Sequence, residues 1–508
     1  GVDNQPYGQT NYVIGKLLYP EGHPYNWQVI GSFEDLANAT VEDVRDFFRK
    51  WYGPNNATLV IAGDFDEAQT REWVDKYFGE LASSDPVVDP EPRNVQLTET
   101  KRAFHEDNFA RSPELNMVFP TVPQYTPDAY ALDMFGQIFS SGKKAPLYKV
   151  MVEEEKLAPS ASGRNGSQEI TGAFRFGVRA FPGTPLSDVE AGIKDAFARF
   201  EEEGFTVEDL DRINALVETS FYGGMSSTMF TAVQLALYNE FAGSPGFIEE
   251  DIGNTLAVTP DDVWRVYNTY IKDQPFVLTS FVPMGQTDLV AEGSERFVIP
   301  EDPAGLESAA AGMVVPPVEP IPSAFDRSVE PEKGPVPPVT IPTVWTHTYA
   351  NGLRLYGIEQ HEVPLVQFSL ALKGGMLLDD PGKVGVANLV TDVMMEGTAN
   401  KTPLELEEAI DDLGASISMF TSRQSISVNA SGLKSKAGDI FGLVQEILLE
   451  PRWDETEFAR IKDETVEGLN RQSVNPGAVA NNVFGTLVYG ESSLLGKNTM
   501  GTEEAVRS

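Results

Sequence analysis

The sequence predicts an α+β protein built from repeated two-layer domains, each a mostly antiparallel sheet with helices packed on one face. Three observations support this fold class: an internal repeat, capping signals at the start of its helices, and short β-rich segments that follow them. The repeat relates residues 40–62 to residues 259–281 at one constant offset, without gaps. Helices and hairpin strands that recur in this way along a chain are typical of α+β domains.

The two copies of this repeat contain the same order of elements. Each opens with a capping box, Thr40 with Asp43 and Thr259 with Asp262, in which side chains satisfy unpaired N–H groups at a helix start. An aromatic-rich helix, a polar turn and a β-rich segment follow. The predicted strands of the repeat are 58–62 and 276–281, and further strands are predicted at 173–179, 416–418 and 425–429.

Proline-rich stretches divide the chain into four predicted segments. Prolines interrupt the apolar pattern between 83 and 93, and a much denser set, which favours extended chain, runs from about 299 to 342. The predicted segments are 1–92, the C-terminal part of a first domain; 93–298, a complete second domain; 299–342, a linker; and 343–508, a third domain truncated at its C-terminal end.

A second repeat relates the two ends of the chain. Residues 18–31 align on residues 488–501 without gaps, and Pro6 falls on Pro476. Gly1 is not an initiator residue, and a capped helix start at Thr502 lies just before the last residue. We therefore expect the chain to be an internal piece of a longer protein.

Composition narrows the classes of function. The formal net charge of −38 repels phosphate backbones, so nucleic-acid binding is not expected. The chain has no cysteine, which excludes disulfides and thiolate metal sites, and its four histidines leave few candidates for an imidazole site. No apolar run approaches the roughly 20 residues of a membrane-spanning helix.

Residues 385–398 form the most informative segment of the chain. Their apolar residues recur at helical spacing, and Asn388, Thr391 and Asp392 share a neighbouring face of that helix. The segment resembles the zinc helix of the pitrilysin/insulinase family, the inverted zincins, whose motif is H-x-x-E-H. The motif's histidines fall on Asn388 and Asp392, its glutamate falls on Thr391, and the family's third ligand falls 75 residues after Asp392, on Glu467.

The resemblance implies a metallopeptidase/LuxS-like fold and a two-half plan in which only the N-terminal half binds zinc. The P-N-N-A-T-L-V-I-A-G-D-F stretch at 54–65 is similar to the end of the family's first domain. An amide and a hydroxyl are poor substitutes for imidazole and a catalytic carboxylate. We therefore expect a degenerate helix kept for packing and assign no catalytic and no metal-binding residue to this chain. A calcium ion held by Asp392 and Glu467 is the lesser alternative.

Other candidate sites are weaker. His23 lies in a turn and is expected to be a buried structural histidine, and residues 105–107 (His-Glu-Asp) alternate between the two faces of a strand. Residues 140–144 (S-S-G-K-K) lack the spacing of a phosphate loop and are expected to pack. His347 and His361 are expected to be exposed. The acidic helices are expected to expose their charged faces to solvent. The alternative is that they line a chamber that attracts basic peptides.

The resemblance implies that the parent protein is a zinc metalloendopeptidase, a hydrolase that cleaves peptides in a chamber formed by two halves. This chain would supply chamber wall, hinge and the inert half, and would be inactive alone. Zinc would be bound by residues upstream of Gly1. The partners would be a peptide substrate and the second half-shell of the same parent chain. The substrate-binding residues stay unknown. The alternative is a non-catalytic peptide-binding or partner subunit. An extracytoplasmic, periplasmic location is weakly favoured.

Overall fold

The computed structural model describes residues 5–300, 322–330 and 341–508. Most of the predicted linker 299–342 lies outside these ranges. Two sheet-containing units stand out, which we call the large-sheet unit (93–300) and the small-sheet unit (341–508). Helices of residues 5–92 precede them: α1 (Thr10–Leu18), α2 (Phe33–Asn38), α3 (Val41–Trp51) and α4 (Glu67–Phe78).

The large-sheet unit contains a six-stranded sheet in the order β3-β4-β2-β5-β1-β6. Its β3, β4, β2 and β5 pair antiparallel, whereas β1 pairs parallel with β5 and β6. The strands are β1 (Lys101–Asp107), β2 (Glu114–Thr121), β3 (Ala161–Ser167), β4 (Gly172–Arg179), β5 (Val277–Pro283) and β6 (Glu295–Arg296). The helices are α5 (Pro127–Ser140), α6 (Pro146–Tyr148), which a π-helix (Lys149–Glu154) continues, α7 (Leu186–Glu203), α8 (Val207–Met225), α9 (Thr228–Phe241), α10 (Ile248–Leu256) and α11 (Pro260–Tyr270).

One face of this sheet forms the main core of the molecule. Alternate residues of β4 are buried, as expected for a strand with one face on a core. Phe135 of α5 packs within 5.5 Å, ring centre to ring centre, of Phe174, Phe200 and Tyr267. Such aromatic contacts contribute about 0.5–1.5 kcal/mol each beyond their buried area. They hold the helix layer on the sheet.

The opposite face of the sheet is partly covered by α1. Val13, Ile14 and Leu18 of α1 are buried, and their neighbours include Val118 of β2 and Val277 of β5. The helix that precedes the predicted boundary at residue 92 therefore belongs to the packing of the large-sheet unit. The end of this face at β3, β4 and β2 borders a cleft in the part of the chain that the structure describes, and we call it the open end.

The small-sheet unit contains a hairpin and a separate antiparallel sheet in the order β10-β11-β9. The hairpin strands are β7 (Trp345–Thr348) and β8 (Arg354–Gly357), and the sheet strands are β9 (Leu365–Lys373), β10 (Ser416–Thr421) and β11 (Ser425–Leu433). Its helices are α12 (Val386–Met394), α13 (Pro403–Asp411), α14 (Ala437–Leu449), α15 (Glu455–Ser473), α16 (Pro476–Tyr489) and α17 (Glu503–Arg507). The α+β class is confirmed, as are the strands predicted at 173–179, 276–281, 416–418 and 425–429.

Both sequence repeats correspond to repeated structure. Helices α3 and α11 each span 11 residues and begin with the predicted capping boxes at Thr40 and Thr259. In the second repeat, 3-10 helices occupy Pro24–Asn26 and Leu494–Gly496, and a glycine of positive φ precedes α2 and α17 alike. The capped helix start predicted at Thr502 is confirmed.

The prediction of a strand at 58–62 is wrong. These residues pair with no neighbouring strand in the part of the chain that the structure describes, and Leu59 and Ile61 are exposed. A strand is held by hydrogen bonds to a partner, so a β-rich sequence without one stays irregular. The equivalent residues of the other repeat form β5 because β1 and β2 flank it.

Residues 322–330 dock on the end of α4. The Glu80 carboxylate accepts hydrogen bonds from the Ser323 hydroxyl and from the Ala324 N–H at 2.7 Å, and Arg327 lies 2.7 Å from it. The Ala324 N–H contributes most to lowering the pKa of Glu80, to about 2. Phe325 packs edge-on against Tyr77.

We expect Glu80→Gln to release this docked segment. A neutral amide has one acceptor oxygen in place of two and no charge for Arg327, so the contact weakens. Limited proteolysis should cut the variant after Arg327 about tenfold faster than the parent chain. Glu72→Gln, within α4, serves as the control. Equal cutting of Glu80→Gln and the parent chain would show that Glu80 does not hold the segment.

Candidate functional site

Helix α12 is fixed in place at its N-terminus and along its apolar face. Gly385 precedes it with φ of +111°, and a Cβ there would meet the Met500 carbonyl oxygen at 2.6 Å. The Asp379 carboxylate accepts hydrogen bonds from the N–H groups of Gly385 and Ala387. Leu389 and Val393 are buried with Ile461 of α15. This packing turns Asn388, Thr391 and Asp392 onto the neighbouring face, as the periodicity predicts.

The three polar side chains of this face satisfy one another and the backbone. The Asn388 amide donates to the Asp392 carboxylate at 2.7 Å. The Thr391 hydroxyl is fully buried, donates to the Asn388 carbonyl at 2.7 Å and lies 3.3 Å from the Thr421 hydroxyl. A hydroxyl bound in this way cannot act as the base that a glutamate supplies in the family's motif.

Asp392 lies among carboxylates. Burial raises its pKa to about 6, and the charges of Glu464 and Glu396 add to the rise. Glu464, one turn before Glu467 on α15, is one of the two carboxylates whose charge acts on Asp392, and the pairing of Asp392 with Glu467 stays a prediction. Glu467 accepts a hydrogen bond from Asn470 and lines a cleft together with Tyr7.

A guanidinium balances this acidic cluster. Arg460 of α15 lies 2.8 Å from Glu396, 2.8 Å from Glu457 and 3.1 Å from Glu464. The Glu396 charge and the hydrogen bond to Glu457 outweigh burial and raise the pKa of Arg460. Lys143 of the large-sheet unit also pairs with Glu396, and both side chains are largely buried. Fixed protein cations thus occupy the surroundings of the degenerate helix.

These ion pairs continue across both units, forming what we call the junction. The Lys143 N–H donates to Glu407 of α13 at 2.6 Å, and Lys144 lies 2.7 Å from Asp209 and 3.3 Å from Glu408. Helix α8 packs against α13 and β9 beside it. A cleft of about 470 Å³ lies between these elements. The loop 140–144 therefore packs, as predicted, but apart from Asp209 these partners belong to the other unit.

The junction should open when its charges are reversed. Lys144→Glu places a carboxylate against Asp209 and Glu408, and we expect the contact between the units to weaken by about 1 kcal/mol because Lys144 is partly exposed. Small-angle X-ray scattering should show a larger radius of gyration for the variant, and added salt should enlarge the parent chain in the same direction. Lys436→Glu, at an exposed lysine of the small-sheet unit, controls for the change in net charge. An unchanged radius would contradict a junction held by these pairs.

The remaining histidine predictions agree with the structure. His23 is buried, its Nδ1 accepts from the Tyr25 N–H at 3.1 Å, and its Nε2 lies 3.2 Å from the Arg93 carbonyl. His105 and Glu106 point to opposite faces of β1, and Asp107 accepts hydrogen bonds from three backbone N–H groups. His347 and His361 are exposed.

The donor set of α12 does not fit zinc. Zinc requires imidazole, thiolate or carboxylate ligands in tetrahedral array, whereas this face offers an amide, a bound hydroxyl and one carboxylate that already accepts a hydrogen bond. Among the described residues, no three His, Cys, Asp or Glu side chains form a group that could hold a metal ion. Within the same residues, no helix combines the length and the apolar composition needed to cross a membrane.

Sequence reasoning missed Arg460 and the two lysines as partners of this helix. The sequence offered only the positions of these residues as a signal. Arg460 lies on the helix that carries the third-ligand position. Lys143 and Lys144 are adjacent in a chain of net charge −38. Nothing in the spacing shows that a loop more than 240 residues earlier reaches Glu396. Such a contact depends on how two units pack.

Comparison with known proteins gives matches over much of the chain. A family model described as the peptidase M16 inactive domain matches residues 38–217, and the model for the insulinase family, peptidase family M16, matches residues 357–495. The zinc protease PqqE of Helicobacter pylori is 24% identical over 280 residues, which cover 54% of this chain and 61% of that protein. The probable inactive metalloprotease YmfF of Bacillus subtilis is 22% identical over 247 residues, 47% of this chain and 55% of that protein.

A solved structure shares the fold. The crystal structure of a protease from Helicobacter pylori matches with a TM-score of 0.50 and 23% sequence identity, covering 56% of this chain and 68% of that one. The chain spans less than two thirds of the length of the curated relatives it matches. With the repeated α+β units and the degenerate zinc helix, these matches show that the chain belongs to the insulinase family of peptidases, family M16.

Proposed function

We propose that this chain forms the wall, hinge and inert half of a zinc metalloendopeptidase that cleaves peptides in a chamber between two halves. In this proposal residues 1–92 complete a catalytic-type domain, 93–298 form an inactive domain, 299–342 form the linker, and 343–508 belong to the inert half. The zinc would be held by residues that precede Gly1. An extracytoplasmic location is part of the proposal and is testable by cell fractionation.

One observation carries the proposal. The polar face of α12 is closed by hydrogen bonds between its own residues, and its acidic neighbours are paired with Arg460 and Lys143. A face bound in this way supplies neither metal ligands nor a base. The role that fits such a helix within a peptidase family is structural.

Chelation of the parent protein tests the proposal. We expect the parent to cleave unfolded peptides, to lose that activity with a zinc chelator and to recover it on adding zinc. Residues 1–508 alone should show no chelator-sensitive cleavage under the same conditions. Parent activity that ignores chelation, or zinc-dependent cleavage by residues 1–508, would contradict the proposal.

A non-catalytic peptide-binding subunit is the second candidate. It is favoured by the similarity to relatives named a probable inactive metalloprotease and a non-peptidase homolog. The sequence that precedes Gly1 in the parent discriminates between the two: an H-x-x-E-H motif there supports the enzyme, and its absence supports the binding subunit. Peptide binding without turnover by the parent protein would also support the subunit.

A further inference from the structure

The open end of the large sheet carries a cluster of arginines, although the chain has a net charge of −38. Arg164 of β3 and Arg175 of β4 stand directly opposite each other in the strand register, and Arg179 follows on the same face of β4. Like charges directly opposite on neighbouring strands repel each other and weaken the sheet. The pairing of Arg164 with Arg175 therefore calls for something that balances it.

The protein balances only part of this cluster. Arg179 is paired with the buried carboxylate of Glu114 at 2.5 Å. Arg175 donates to the amide oxygens of Asn116 and Asn11, at 2.8 and 3.1 Å, and these carry no charge. Burial contributes most to lowering the pKa of Arg175; the charge of Glu114 opposes this, and the charges of Arg164 and Arg179 add to it. Within the described residues, the Arg164 side chain forms no hydrogen bond and no ion pair, and Arg164 is exposed.

These arginines border a cleft large enough for part of a peptide. The cleft measures about 400 Å³ and is also lined by Ser160, whose hydroxyl can donate a hydrogen bond, and by Ser162, whose hydroxyl donates to the Gly177 carbonyl. Residues directly opposite on antiparallel strands have Cβ atoms about 5 Å apart, so one carboxylate can contact both guanidinium groups. Arginine is well suited to this role because its planar donors match a carboxylate.

We propose that Arg164 and Arg175 form a carboxylate-binding subsite that selects acidic peptides. The inference rests on the proposed function in that its ligand is a peptide held against the large sheet. This face would then prefer acidic peptides. A chamber lined by acidic helices would instead prefer basic peptides. The carboxylate can be supplied by acidic side chains or by the C-terminus of the peptide.

Binding of labelled peptides to residues 1–508 tests the subsite. The probes are a glutamate-rich peptide and a lysine-rich peptide with amidated C-termini, and a neutral peptide with its C-terminus free or amidated. We expect the glutamate-rich peptide to bind more tightly than the lysine-rich and amidated neutral peptides, and added salt to weaken it. Arg164→Gln should weaken it about tenfold, equivalent to about 1.4 kcal/mol. A free C-terminus that binds as well as glutamate side chains would identify the terminal carboxylate as the ligand.

The variants keep the outcomes distinct. Arg164 has no partner among the described residues, so Arg164→Gln should fold as the parent does, and Arg164→Glu should reverse the charge preference. Arg354→Gln, at an exposed arginine of β8, removes the same charge elsewhere and should leave affinity unchanged. Acidic and amidated neutral peptides that bind equally well, with no effect of Arg164→Gln, would overturn the subsite but leave peptide binding standing. Binding of no peptide would overturn both the subsite and the proposed role in peptide handling.

Discussion

Replacement of Arg460 by alanine should lower the free energy of unfolding of the small-sheet unit by about 2–4 kcal/mol. The guanidinium lies within about 3 Å of three carboxylates. Once it is gone, Lys143 is the one described cation that still pairs with the largely buried Glu396. Breaking a buried ion pair on one side costs several kcal/mol because a charge is left without a partner. Partial exposure of Glu457 and Glu464 reduces this cost. Chemical denaturation at neutral pH measures the change.

A surface arginine provides the matched control. Arg507 of α17 also contacts two carboxylates, Glu503 and Asp463, but all three side chains are more than half exposed. Arg507→Ala should therefore lower the free energy of unfolding far less than Arg460→Ala does. Arg460→Lys should recover part of the loss, because an ammonium keeps the charge but not the fork of donors. Equal losses for Arg460→Ala and Arg507→Ala would show that the acidic cluster is as solvated as the surface.

Replacement of Asp392 by asparagine should raise stability at neutral pH by about 1–2 kcal/mol. The pKa of Asp392 rises from its ordinary value of 3.8 to about 6, because burial and the charges of Glu464 and Glu396 disfavour the carboxylate. This rise in pKa corresponds to a destabilisation of the folded state of up to about 3 kcal/mol above pH 6. The true destabilisation is smaller because Asp392 is partly exposed to solvent. Asparagine keeps the shape and an acceptor for the Asn388 amide.

The pH profile gives this prediction its direction. The folded state binds the Asp392 proton more tightly than the unfolded chain does. Ionisation of Asp392 therefore lowers the free energy of unfolding as the pH rises from about 4 to about 6. Asp392→Asn should remove that part of the slope, so that variant and parent converge in stability near pH 4. Asp211→Asn, at an exposed position of α8, should leave the profile unchanged. An Asp392→Asn variant less stable than the parent at pH 7 would contradict a repulsive site.

Local signals predicted much of the fold. The capping boxes at Thr40 and Thr259, the start of α17 and the strands predicted at 173–179, 276–281, 416–418 and 425–429 follow from side chains that act on their own segment. Repeats add long-range information, because two segments with the same pattern adopt the same elements. The face shared by Asn388 and Asp392 follows from helical spacing alone.

Packing partners could not be predicted in the same way. Val13 of α1 is fully buried, whereas the equivalent Val483 of α16 is 53% exposed, although the two positions match in the repeat. The large sheet covers α1, and no described residues cover α16 in the same way. The same reason explains the missing strand at 58–62 and the presence of Glu464 among the charges that act on Asp392. Spacing sets the face of an element, and the neighbouring element sets what that face meets.

Zinc stoichiometry of residues 1–508 tests the central claim most directly. The chain would be dialysed against a small molar excess of zinc and then against metal-free buffer, and its metal content measured by mass spectrometry beside Asn388→Ala and Asp392→Ala. We expect far less than one zinc per chain and no difference among the three proteins. The reason is that an amide, a bound hydroxyl and one carboxylate do not form a zinc site. One tightly held zinc per chain that disappears in either variant would contradict it.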